Sequence, residues 1–226
     1  FPVGHAQIID MNSHCDTLLV CLQDVRVWSE QNPRHAPIWI SFNLKDQAIP
    51  GLPDPELFTP EALNLLDEQL RGALTAQLIQ PADVRGLNWP TLAEARGKVL
   101  LILDEGGAKR DWYYNNWQTR PMFTNAPEGH PAAGVMIIND PIKDFARIQR
   151  LVKAGYLVRT RADAGTLEAR SNDTLRRDRA FASGAQAIST DYYRAATHFG
   201  NDYRVAIDGG VRCNPVLLPQ PCVVAE

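Results

Sequence analysis

The stretch VMIINDPIKDFARIQRLVKAGYLVRTRA, residues 135–162, decides how the whole chain is read. It opens on an apolar run, VMIIN, that reads as a buried strand. A helix follows: Asp140 is its cap, Pro141 stands where a missing N–H is harmless, and Gly155 supplies the left-handed stop. YLVRTRA is then a second strand. Strand, helix, strand in close succession is the unit that joins parallel strands.

The same rhythm extends in both directions. Downstream, NDTLRRDRAFASG reads as a helix closed by Gly184, and AQAISTDY as a strand. Upstream, IWISF at residues 38–42 and KVLLIL at residues 98–103 are strands. Residues 16–31 carry Leu18, Leu22, Val25 and Trp28 at helical spacing. Thr59 and Pro60 open a helix whose Leu63, Leu66, Leu70 and Leu74 share one face, and Thr91 with Glu94 forms a capping box. The opening FPVGHAQIID, apolar around His5, reads as one more buried strand. Residues 105–134 break the alternation; they are aromatic and polar, with a short strand at PMFT, and loops of this length are functional or disordered.

Six strands in βα alternation imply an α/β fold with a parallel sheet wrapped by helices. A (β/α)8 TIM barrel needs eight strands and about 250 residues. The expectation is therefore one domain, residues 1–226, of barrel type and incomplete at its N-terminal side. A doubly wound sheet is the competitor, but no strand-to-helix turn carries its Gly-rich phosphate fingerprint.

A net charge of −3 gives no electrostatic reason to expect nucleic acid. No apolar run reaches the 18 or so residues of a membrane span, and no charged-then-apolar leader is present in the sequence. The cysteines fall in two close pairs, Cys15/Cys21 and Cys213/Cys222, with spacings unlike zinc or thioredoxin motifs. Two local disulfides in an exported protein is the preferred reading; buried thiols are the alternative, Cys21 lying at an apolar helix position.

Barrel chemistry gathers at the carboxyl ends of the strands. The polar residues there are His5; Asn43 and Lys45; Asp104 and Glu105; Asn139 and Asp140; Arg159, Arg161 and Asp163; Thr190, Asp191 and Tyr192. Arg159 and Arg161 share strand parity and project to one side. They either pair with Asp104 and Asp163 as a structural network or hold a phosphate, whose oxygens match a guanidinium fork. His5 is either a hydrogen-bonded core residue or a catalyst. His14, His35, His130 and His198 read as solvated surface.

Several stretches resemble the calcium-dependent phosphoinositide-specific phospholipase C family of bacteria and fungi: CLQDVRVWSEQNPRHAPIWI, WPTLAEARGKVLLILD, the long NDPIKDFARIQRLVKAGYLVRTRADAGTLEARSNDTLRRDRAFASGAQAISTDY, and RCNPV. The resemblance implies a TIM barrel that cleaves phosphoinositide to diacylglycerol and inositol phosphate, with calcium, at a membrane surface. It implies a secreted or periplasmic protein. It aligns His5 with the family's second catalytic histidine, the acid that protonates the departing alkoxide. Lys45, Arg159 and Arg161 would hold phosphate, and Asp191 with Tyr192 would line the inositol pocket. Asn43 stands where the family carries a calcium-approaching Glu; it offers a carbonyl oxygen and no charge. The first histidine and the other metal ligands would lie before Phe1. A non-catalytic barrel that binds phosphorylated ligands, favoured by Asn43, and a glycerophosphodiester phosphodiesterase are the alternatives. The aromatic DWYYNNW invites a headgroup-layer role, with packing over the barrel mouth or in an oligomer contact as the preferred reading.

Overall fold

The computed structural model describes residues 1–10, 12–207, 209–218 and 222–223. The chain divides into two compact units, Phe1–Ala133 and Gly134–Glu226. All strand pairings in both are parallel, and no closed barrel forms among the described residues.

The first unit is built on β3 (Val99–Leu103), the KVLLIL strand. Every one of its five residues is buried. β1 (Ile38–Phe42) runs beside its whole length, from Ile38 opposite Val99 to Phe42 opposite Leu103. Two short strands, β2 (Leu78–Ile79) and β4 (Phe123–Thr124), pair with its start and its end. β2 was not legible in the sequence; β4 lies within PMFT.

Two helices cover this sheet, and local chemistry explains where they begin. In α1 (Leu18–Gln31) the Thr17 hydroxyl accepts from the Val20 N–H at 3.4 Å. In α2 (Pro60–Leu74) Thr59 does the same for Ala62, with Pro60 at the first position. Leu63, Leu66, Leu70 and Leu74 are all buried to 2% exposure or less and pack with Leu18, Leu22, Leu101 and Leu103. Each such Leu contributes about 1.5–3 kcal/mol of burial. Trp28, expected on the buried stripe, is 49% exposed and lies against the His35 ring instead. The capping box of α3 (Leu92–Ala95) forms as expected between Thr91 and Glu94.

Two sequence expectations are corrected here. Residues 1–10 are not a strand. Their pairings are isolated antiparallel bridges, Pro2 with Thr17 and Ala6 with Asp10, and the chain reverses at Ile8, whose φ is +75°. The Asp10 carbonyl takes both the His5 and Ala6 N–H groups, so the backbone is satisfied inside its own turn. Ile8 and Ile9 stay about half exposed. The segment at 105–134 is not a bare loop: it contains α4 (Gly107–Tyr114), whose Tyr113 is wholly buried.

The second unit holds β5 (Val135–Ile137), α5 (Phe145–Lys153), β6 (Leu157–Arg161), α6 (Leu167–Ser171), α7 (Leu175–Ala182) and β7 (Ala187–Ser189). The sheet order is β5-β6-β7, with Ile137 opposite Arg159 and Arg161 opposite Ser189. Asp140 does not cap the helix as expected: its carboxylate accepts from the N–H groups of Ile142 and Lys143 in the turn ahead of it, and the N-cap of α5 is Asp144. Gly184 closes α7 at φ +79°, and a Cβ there would stand 2.6 Å from Val216. The same Gly184 carbonyl accepts from Asn214, which seats the tail. Cys15–Cys21 and Cys213–Cys222 are both disulfide-bonded.

Candidate active site

In the first unit the carboxyl end of β1 delivers Asn43, Leu44 and Lys45 in succession. Leu44 is buried and its two neighbours are exposed. Asn43 is held by a hydrogen bond from its amide nitrogen to the Asp104 carbonyl, 2.7 Å, just beyond the end of β3. The opening turn comes to the same place. The Gln7 amide donates to the carbonyls of Lys45 (2.9 Å) and Glu56 (3.0 Å) and accepts from the Glu56 N–H (3.0 Å). His5, Gln7, Asn43, Lys45, Glu56 and Phe58 thereby line one cavity of about 160 Å³. A larger apolar groove of about 550 Å³ adjoins it, floored by Leu18, Leu22, Ile40, Phe42 and Phe58.

His5 is no core histidine. Its side chain is 74% exposed, and its Nδ1 lies 3.1 Å from an Asp10 carboxylate oxygen. A carboxylate only accepts, so Nδ1 carries the hydrogen of that bond and Nε2 is left for other work. Asp10 was not singled out in the sequence.

Behind the Asn43–Lys45 segment lies a compact ionic cluster. Lys109, on α4, donates to Asp46 at 2.6 Å and to the Leu44 carbonyl, and pairs with Glu105 at 3.6 Å. Glu105 in turn accepts the Leu44 N–H. Burial alone would raise the Asp46 carboxyl, but Lys109 and the Phe58 N–H hold it below the usual carboxylate range.

The second unit collects the other predicted residues at the carboxyl ends of β5, β6 and β7. Arg159 donates to the Asn139 side-chain oxygen at 2.6 Å, and Arg176 to the Asn139 carbonyl at 2.6 Å. Arg161 is exposed one step past Thr160. Asp163, 4% exposed, accepts from the Thr190 hydroxyl (2.5 Å) and the Asp191 N–H (3.0 Å), which fixes the backbone that presents Asp191. Tyr192 sits otherwise than expected: its ring is only 9% exposed and packs edge-on against Tyr203, 5.7 Å between centroids. Burial pushes the Tyr203 phenol up to about 12, with the nearby Asp163 charge adding to it.

Two of the remaining histidines also depart from a plain surface reading. His35 is half-buried between the Ser29 hydroxyl (2.7 Å) and the Ala36 carbonyl, and His130 lies on the Tyr114 ring.

In the first unit a histidine beside a carboxylate shares a cavity with a lysine and an amide; in the second, two arginines lie on a parallel strand. The profile described as phosphoinositide phospholipase C, Ca2+-dependent, matches residues 1–215. The chain belongs to this family. Among solved structures, it is similar to a Ca2+-dependent phosphatidylinositol-specific phospholipase C from Streptomyces antibioticus, with a TM-score of 0.56 and 17% identity over 80% of this chain and 72% of that one. A calcium-dependent phospholipase C from a Gram-negative Pseudomonas species, determined in apo form and with myoinositol, gives a TM-score of 0.47 and 19% identity. That match covers 63% of this chain and 57% of the Pseudomonas one. No curated protein matches.

Family membership raises the matter of calcium. A calcium ion takes six to eight oxygen ligands. Asn43 can turn one neutral oxygen towards a cation, its nitrogen being engaged by Asp104. Among the described residues no group of three His, Cys, Asp or Glu side chains is placed to hold a metal. The donors described here do not by themselves fit the ion, and no step below passes through it.

Proposed function

We propose that the chain is the phosphodiester-cleaving part of a secreted phosphatidylinositol-specific phospholipase C. The observation that carries this reading is the His5–Asp10 pair opening on the same cavity as Lys45 and Asn43, in a chain of this family.

The chemistry follows from the groups. The inositol 2-hydroxyl gives its proton to a base, the role that the family's first histidine would fill, and its oxygen attacks the neighbouring phosphorus, closing a cyclic phosphodiester as the P–O bond to diacylglycerol breaks. Charge gathers on the phosphoryl oxygens and on the departing glycerol oxygen. The Lys45 ammonium offsets the first. His5, protonated and held through Nδ1 by Asp10, gives its Nε2 proton to the second. Arg159 and Arg161 are proposed as phosphate ligands, with Asp191 directed to the inositol hydroxyls. Calcium dependence is proposed from the family, Asn43 offering a single neutral oxygen among the described residues, too little by itself to hold the ion firmly. The two disulfides, and the lack of any helix long and apolar enough to cross a membrane among the described residues, agree with export.

Asn43 also supports a second reading, a barrel that binds phosphorylated ligands without turnover, because an amide cannot serve as a base. One experiment separates the two. Cleavage of phosphatidylinositol in mixed phosphatidylcholine vesicles is measured for the wild type, with and without chelator, and for His5→Ala. The enzyme reading expects turnover that His5→Ala abolishes, with little change in melting temperature because the ring is exposed. Wild-type protein that binds the lipid and never cleaves it refutes the enzyme reading in favour of the second.

A further inference from the structure

We propose that Lys109, far in sequence from the site residues, is the positioning residue that makes the Asn43–Lys45 segment able to receive an anion; this rests on the phosphodiester reading above. The argument begins with Leu44. Its side chain is buried, whereas its neighbours Asn43 and Lys45 are exposed and line the cavity. Their direction is only as firm as the Leu44 peptide groups. Both are held, the N–H by Glu105 and the C=O by Lys109. The next residue, Asp46, is held too: one carboxylate oxygen takes the Lys109 ammonium and the other takes the Phe58 N–H at 2.9 Å.

Charge makes Lys109 more than a strut. Asp46 and Glu105 are 12% and 15% exposed, and both face the Lys109 ammonium. Two carboxylates placed behind an anion-binding segment would repel the phosphate that Lys45 attracts. The ammonium between them offsets half of that charge, and it does so at 19% exposure, where water screens little. A further 5.8 Å contact places the ammonium over the Phe58 ring, in the wall of the same cavity. α4 therefore has a function that its place in an aromatic, polar segment conceals: it carries the counter-charge for the strand end opposite.

The test uses glycerophosphoinositol, a soluble phosphodiester whose single charge does not change near neutral pH. Its affinity is measured by calorimetry from about 0.05 M to about 0.5 M salt. Wild-type affinity should fall with salt, as expected for attraction. Lys109→Met should bind about tenfold more weakly, and its affinity should hold level or rise with salt as the uncovered carboxylates are screened. Adding Glu105→Gln should recover part of the loss. A merely structural lysine would not change the sign of the salt response. If Lys109→Met is folded and binds as the wild type does, the inference fails while the phosphodiester reading stands. If the wild type binds no diester, both fall together. Should Lys109→Met not fold, Lys109→Gln takes its place. It keeps an N–H donor for the Leu44 carbonyl but carries no charge, and should bind about tenfold more weakly with the same altered salt response; wild-type affinity and salt dependence in that protein overturn the proposal.

Discussion

Gln7→Ala removes a side chain that ties the opening turn to the rim of the cavity, and its effect can be worked from three hydrogen bonds. Two are donated to the carbonyls of Lys45 and Glu56, and one is accepted from the Glu56 N–H, all within 3.0 Å. A net contribution of about 0.5–1.5 kcal/mol is usual for each, and solvent access puts these at the low end, so the latch is worth about 1.5–2 kcal/mol. The turn has other attachments: the Leu18 N–H to the Phe1 carbonyl at 2.8 Å, and the Phe1 ring stacked on Phe58. The protein should therefore stay folded while the turn opens locally about tenfold more often. Native-state hydrogen exchange reads this at one amide. The Glu56 N–H loses its acceptor and should exchange about tenfold faster, while the buried amides of β3 keep their wild-type rates. Vesicle turnover should fall several-fold through KM and kcat together, because His5 is presented less often. Unchanged exchange at Glu56 with unchanged turnover would show that Gln7 does not position His5.

Two other perturbations probe the scaffold. Tyr113→Phe removes a hydroxyl that donates to Asp67 at 2.6 Å and accepts from the Met122 N–H; leaving both buried partners short should cost about 2–3 kcal/mol in urea unfolding at pH 7. Burial raises the Asp67 carboxyl despite its bonds to Tyr113 and Arg120, so Asp67 binds its proton more firmly folded than unfolded. The stability it contributes is full below the unfolded carboxylate value and is lost as pH rises through the folded one; Tyr113→Phe raises the folded value further, so its deficit should shrink towards pH 4, and an equal deficit at both pH values contradicts this. Gly184→Ala meets both a left-handed φ and Val216 at 2.6 Å and should cost about 2 kcal/mol or more, seen as a lower urea midpoint; a wild-type midpoint would mean that the tail is not seated there.

What the sequence disclosed, and what it withheld, divides by distance along the chain. Thr59, Thr91, Gly155 and Gly184 were legible because a cap or stop is made by residues within a few positions of itself. Leu63, Leu66, Leu70 and Leu74 were legible for the same reason: helical spacing shows the buried face without naming what covers it. β2 was hidden because two residues carry no periodicity; only pairing with Val99 and Leu100 makes it a strand. The opening residues were misread in the opposite sense. Their apolar composition was taken for burial, but a strand also needs a neighbour to satisfy its backbone, and Asp10 satisfies it within the turn. α4 was missed because the burial of Tyr113 depends on Asp67, 46 positions earlier. The site shows the same division. Asn43 and Lys45 were legible at the end of β1 and His5 only on an expected strand that does not form, whereas the contacts of Gln7, Asp10 and Lys109 exist only in the folded chain. The family resemblance puts Tyr192 in the pocket beside Asp191, yet its ring packs on Tyr203 while Asp191 stays exposed.

Asn43 is where sequence, structure and family meet, and restoring the family's residue there tests them together. The Asn43 nitrogen donates to the Asp104 carbonyl at 2.7 Å. A glutamate cannot donate. Asn43→Glu would therefore lose this bond and set a carboxylate near a carbonyl oxygen, beside a segment where the Lys109 ammonium is already shared by Asp46 and Glu105. In calcium-free buffer the variant should lose about 1 kcal/mol, little more because the position is exposed. A divalent cation reverses the sign of that electrostatic term, so millimolar calcium should raise the melting temperature of Asn43→Glu and leave that of the wild type nearly unmoved. Magnesium, which demands a tighter octahedron of oxygens, should do less. A variant as stable as the wild type without calcium, and indifferent to its addition, would remove Asn43 from any metal-facing position and leave the amide with one role, bridging the ends of β1 and β3.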